Sequence, residues 1–150
     1  MHVPSEKILI LDFGSQVTQL IARRVRELHV YCEIKPYSTP LEEIRAFGAK
    51  GLILSGSPAS VDREGAPLVS RDVFDLGVPV LGICYGLQLM THLLGGVVEH
   101  SDRREYGHAI LQVEEAAGLL DGLAKSTQVW MSHGDRIVQL PRGFRHIAPT

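Results

Sequence analysis

Residues 78–94 read VPVLGICYGLQLMTHLL, and the two halves of this stretch follow different periods. Val78 to Ile83 is a short apolar run suited to a buried parallel strand. Tyr85 to Leu94 is a helical pattern that stops at Gly95-Gly96. Between them Cys84 occupies a strand-to-helix turn, with Gly82 and Gly86 two residues away on either side. That spacing is the logic of a nucleophile elbow, in which the reactive side chain sits on a tight, strained turn and the flanking glycines relieve crowding. The unpaired N–H groups and the dipole at the start of the helix favour thiolate over thiol. The N–H of Tyr85 is then a natural oxyanion donor. The competing reading is a cysteine packed as a small hydrophobe, the common fate of free cysteines.

The alternation extends upstream. Lys7 to Asp12 (KILILD) predicts a buried strand, and Gln16 to His29 a helix. Ser15 stands at the N-cap, and Val17, Leu20, Ile21, Val25 and Leu28 share one face. Val30 to Lys35 predicts a less apolar strand nearer an edge, and Pro40 to Phe47 a short helix with proline in its first turn. Gly51 to Leu54 is a third apolar strand, running into the loop Ser55-Gly56-Ser57-Pro58, and Val69 to Leu76 predicts a helix. After Gly96 the rhythm changes. Val97 to Glu99, His108 to Val113, Gln128 to Ser132 and Arg136 to Gln139 read as strands with little helix between them. The expected fold is α/β: a mostly parallel sheet with helices on both faces and antiparallel additions at one edge.

A chain of 150 residues suits a single domain, 1–150, and can bury about 70% of its unfolded surface without disulfide staples. Hydrophobic residues make up 45% and charged residues 21%, a globular balance. A net charge of −2 argues against nucleic acid or an anionic membrane as the main partner. Two cysteines, Cys32 and Cys84, are too few for a disulfide framework and form no C-x-x-C pair, so neither a structural zinc site nor another metal is expected. Met1 to Lys7 lacks the apolar core of a signal peptide, and a cytoplasmic location is expected.

In an open α/β sheet, ligands bind beyond the carboxyl ends of the strands. Gly14-Ser15-Gln16 and Ser55 to Pro58 belong there with the Cys84 turn. A backbone N–H of Gly56 or Ser57 could supply a second oxyanion donor, or the loop could be a plain glycine turn. Gly14-Ser15 could form an anion nest, but it lacks both G-x-G-x-x-G and G-K-[ST]. A cysteine nucleophile needs a base, usually histidine. Spacing does not single out one of His2, His29, His92, His100, His108, His133 and His146, and Ser132-His133-Gly134-Asp135 reads equally as a β-turn.

Gly82-Ile83-Cys84-Tyr85-Gly86-Leu87-Gln88 resembles the nucleophile motif of class I (triad) glutamine amidotransferases. Ile8 to Arg26 (ILILDFGSQVTQLIARRVR) resembles the opening of one branch of that family, Leu54 to Pro58 its oxyanion loop, and Trp130 to Asp135 its glutamine-pocket segment. The resemblance implies a flavodoxin-like core and a glutaminase reaction through a Cys84 thioester. Gly56, Ser57 and Tyr85 would supply oxyanion amides, and Gln88, Ser132, His133, Gly134 and Asp135 would seat the glutamine. It implies no cofactor for this domain. The partner would be an ATP-pyrophosphatase (synthetase) domain or subunit that uses ATP and Mg2+ to aminate xanthosine monophosphate to GMP, with a homodimer in the full enzyme.

Two departures stand out. Gly56-Ser57-Pro58 replaces the family's Gly-Gly-Pro, which is harmless unless the loop needs positive φ at Ser57. The family's His-Pro-Glu motif does not occur in these residues, so an incomplete domain, inactive or weakly active alone, is expected. The alternatives are a non-catalytic regulatory or docking module, and a cysteine hydrolase acting on another amide.

Overall fold

A computed structural model describes residues 4–150, the side chains of residues 102–105, 132 and 133 excepted. Strands β1 (Lys7–Asp12), β2 (Tyr31–Pro36), β3 (Gly51–Leu54) and β4 (Val80–Gly82) form a parallel sheet in the order β2-β1-β3-β4. Alternating side chains divide between two cores, as a sheet covered on both faces requires. Leu9, Leu11, Leu52 and Leu54 face one core, beneath α2 (Leu41–Phe47), α3 (Tyr85–Leu93) and a 3₁₀ turn at Arg71–Asp75. Ile10, Ile53 and Cys32 face the other, beneath α1 (Thr18–Glu27). The strands expected around KILILD and GLIL are central, and the less apolar β2 is at an edge.

Several boundaries differ from the sequence reading. Helix α1 begins at Thr18, with Val17 at the N-cap position, and Ser15 Oγ instead accepts the Val17 N–H at 3.1 Å within the preceding turn. Its buried stripe is Thr18 and Ala22 flanked by Ile21 and Val25, whereas Val17, Leu20 and Leu28 are 43%, 47% and 76% exposed. The two small residues let the helix approach the sheet closely, and the bulkier ones are displaced to its flank. Pro40 takes the N-cap position of α2 rather than its first turn, and the helix expected at Val69 to Leu76 is the 3₁₀ turn, capped by Ser70 Oγ on the Asp72 N–H.

The four strands expected after Gly96 are two long ones, β5 (Val97–Gln112) and β6 (Ser126–Gln139). They pair antiparallel, but as a separate two-stranded ribbon rather than a continuation of the parallel sheet. Val98 packs the ribbon against the larger core, and its register shifts between positions 100 and 105. No helix among the described residues is long and apolar enough to cross a membrane.

Candidate active site

The loops after β1, β3 and β4 converge where the strand order reverses, the switch point at which open α/β sheets bind ligands. They enclose a cavity of about 520 Å³. Its walls are Gly14–Val17, Gly56–Ser60, the elbow residues Cys84, Tyr85 and Gln88, and His100, Tyr106, Gly134 and Asp135 from the ribbon.

Ile83 and Cys84 join β4 to α3, and Cys84 sits at φ +52° and ψ −114°, a conformation that a side chain adopts only under strain. The flanking glycines permit the turn. A Cβ on Gly82 would lie 2.7 Å from the Leu87 nitrogen, and one on Gly86 would overlap the Leu54 carbonyl oxygen. Cys84 is exposed to the cavity, while Cys32 is buried and donates its S–H to the Ala22 carbonyl at 3.5 Å. The packed-hydrophobe reading therefore fits Cys32 and not Cys84.

The amides around this thiol are open. Gly86 N–H is taken by the Ile83 carbonyl, and Leu87 and Gln88 N–H by the Cys84 carbonyl, which leaves Tyr85 N–H without a hydrogen bond among the described residues. The same holds for Gly56 and Ser57 N–H. Ser57 does not have a positive φ, so serine enters the loop without strain. Tyr85 is anchored: its hydroxyl donates to the Pro67 carbonyl at 2.6 Å, its ring packs 5.6 Å from Phe13, and burial together with nearby Tyr37 pushes its phenol to about 12.

Gln88 is buried, and its Nε2 donates to the Asp135 carbonyl at 3.4 Å. Asp135 is also buried, and its Oδ1 lies 2.8 Å from His100 Nδ1. The structure thus brings Gly56, Ser57, Cys84, Tyr85, Gln88, Gly134 and Asp135 to one cavity. The side chains of Ser132 and His133 lie outside the described residues. His100 is a cavity residue that the sequence does not single out; it reaches Asp135 through the β5–β6 register. The possible anion nest at Gly14-Ser15 is filled from within, because Gly14 N–H donates to Asp12 Oδ1 at 2.8 Å and Val17 N–H to Ser15 Oγ. Among the described residues no group of three or more His, Cys, Asp or Glu side chains could hold a metal ion.

Burial pushes the Cys84 thiol above its ordinary value, against the pull expected of the helix start. The thiolate is the nucleophile, so alkylation of Cys84 by iodoacetamide should still climb about tenfold per pH unit where a free thiol has levelled off. A plateau already reached near neutral pH would show that the helix amides dominate instead.

The profile of the family "Glutamine amidotransferase class-I" matches residues 9–150. The chain belongs to the class-I glutamine amidotransferases. Among the relatives of this amidotransferase domain is the GMP synthase [glutamine-hydrolyzing] of Dehalococcoides mccartyi, 55% identical over 146 residues, which are 97% of this chain and 27% of that protein. The protein of the same name from Neisseria meningitidis serogroup B is 55% identical over 148 residues, 97% of this chain and 28% of that one. The chain therefore spans little more than a quarter of these relatives. A crystal structure from Thermoplasma acidophilum, described as one subunit of a GMP synthase, superposes with a TM-score of 0.86 at 33% identity, covering 98% of this chain and 74% of that one. A glutamine amidotransferase from Thermotoga maritima shares the fold, with a TM-score of 0.71 at 18% identity over 97% of this chain and 67% of that one.

Proposed function

We propose that this chain is the glutaminase part of a GMP synthase, releasing ammonia from glutamine through a thioester on Cys84. The observation that carries the reading is an exposed cysteine in a strained strand-to-helix turn, facing a cavity beside three open amides. Sγ attacks the side-chain amide carbon, and the carbonyl oxygen takes up negative charge near the Gly56, Ser57 and Tyr85 N–H groups. Collapse breaks the C–N bond; the thiol proton goes to the departing nitrogen, and water later hydrolyses the thioester to glutamate. Gln88, Gly134 and Asp135, with Ser132 and His133, seat the substrate.

Burial raises the Cys84 thiol, so a base must take its proton, and the resemblance assigns that role to the histidine of the family's His-Pro-Glu motif rather than to His133. The ammonia passes to a synthetase domain or subunit that uses ATP and Mg2+ to aminate xanthosine monophosphate to GMP. The location is cytoplasmic, and the assembled enzyme is a homodimer.

The test is intact mass and peptide mapping after treatment with a glutamine-mimicking chloroketone, with and without excess glutamine. One adduct on Cys84, none on Cys32, and suppression by glutamine are expected. Protection by a different amide but not by glutamine would point to another hydrolase. No adduct at all would point to a non-catalytic module.

A further inference from the structure

Beneath the oxyanion loop lies a buried polar chain to which neither the motif nor the family assigns a role. Thr18, the first residue of α1, is 1% exposed, and Ser55, the residue after β3, is wholly buried. Their hydroxyl oxygens are 3.0 Å apart. Thr18 Oγ1 is also 3.2 Å from Asp12 Oδ1, and Phe13 N–H donates to Ser55 Oγ at 3.4 Å. A hydroxyl has one proton, and a carboxylate only accepts. If Thr18 donates to the carboxylate, Ser55 must donate to Thr18, and every group is then satisfied. The relay runs from the Phe13 amide through Ser55 and Thr18 to Asp12.

This relay ties the loop after β1 to the start of the loop after β3. Ser55 is held by its side chain to Thr18 and by its N–H to the Leu11 carbonyl at 3.2 Å. The next residue, Gly56, faces the loop after β1 and the nucleophile. A Cβ built on it would lie 3.4 Å from Ser15 Cβ and 3.8 Å from Cys84 Cβ. We infer that Thr18 is a positioning residue, whose hydroxyl acts through Ser55 to hold the Gly56 and Ser57 amides at the oxyanion position above Cys84. A methyl group would fill the same space beneath α1, so packing alone does not call for the hydroxyl.

The inference rests on the glutaminase reading, and the test separates the two. In the full chain, two rates at Cys84 are compared by intact mass: acylation by an activated γ-glutamyl ester, and alkylation by iodoacetamide. Acylation passes through an oxyanion, while alkylation is a direct displacement that does not. Thr18→Val should slow acylation about tenfold or more, by loosening donors whose outright loss costs about 10²–10³-fold, and leave alkylation within about twofold. Thr18→Ser should recover most of the acylation rate. Ser55→Ala should reproduce the Val effect, and the double variant should be no slower than either single one, since both break the same relay.

Loss of folded protein would expose the buried Cys32, so alkylation of Cys32 alongside a slowed acylation marks unfolding, and that result, or an unchanged acylation rate in Thr18→Val, overturns the inference. If the unsubstituted protein is alkylated but never acylated, the glutaminase reading falls and the inference falls with it.

Discussion

Cys84→Ala should lose all labelling by the glutamine-mimicking chloroketone and, in the complete assembly, about 10⁴-fold or more of the glutamine-dependent rate. Removing a covalent nucleophile typically abolishes the pathway rather than weakening it. Synthesis from added ammonia should survive, because the substitution touches only the Cys84 turn. Retained glutamine-dependent synthesis in Cys84→Ala would favour a docking module over a glutaminase.

The same position allows the function to be separated from the strain. Alanine keeps a Cβ at φ +52°, so Cys84→Ala should leave stability nearly unchanged. Glycine accepts that conformation freely, and Cys84→Gly should be more stable than Cys84→Ala by about 1 kcal/mol or more in chemical denaturation. A glycine variant less stable than the alanine variant would mean that the turn holds no strain. The stability gain would come with complete loss of the nucleophile. That pairing is why strain at such a site is more telling than the presence of cysteine alone.

The elbow was legible because both of its physical requirements are local. Glycines at 82 and 86 and a change of period at 84 are visible within ten residues of chain. The central strands were legible for a similar reason, as short apolar runs ended by turn residues. The buried face of α1 was not. The apolar pattern weights bulk, whereas the approach of the helix to β1 selected the small residues Thr18 and Ala22. The ribbon's contribution to the cavity was also hidden. His100 meets Asp135 across 35 positions, through a strand register that no local pattern encodes. The relay at Thr18 was hidden too, since its partner Ser55 lies 37 positions along the chain and no local pattern joins them.

Gly86→Ala carries the largest expected effect on the fold. Two effects oppose each other. Replacing glycine by alanine near a helix start usually stabilises by up to about 1 kcal/mol, through chain entropy and helix propensity. Here the added Cβ would overlap the Leu54 carbonyl oxygen and lie 2.7 Å from the Leu54 carbonyl carbon. Those are backbone atoms of β3, and Leu54 is fully buried between β1 and β4. No flexible side chain can yield, so either α3 lifts from the sheet or the strand shifts, and overpacking against backbone costs about 3 kcal/mol or more. The clash wins, and Gly86→Ala should lower the denaturation midpoint substantially or prevent folding. Where folded protein is recovered, α3 and β3 have moved apart, so the Tyr85 amide and the amides of the loop after β3 no longer converge as they do here. Acylation of Cys84 should then fall further than its alkylation by iodoacetamide. A midpoint raised by helix propensity alone would show that α3 does not sit on β3 as closely as these contacts require.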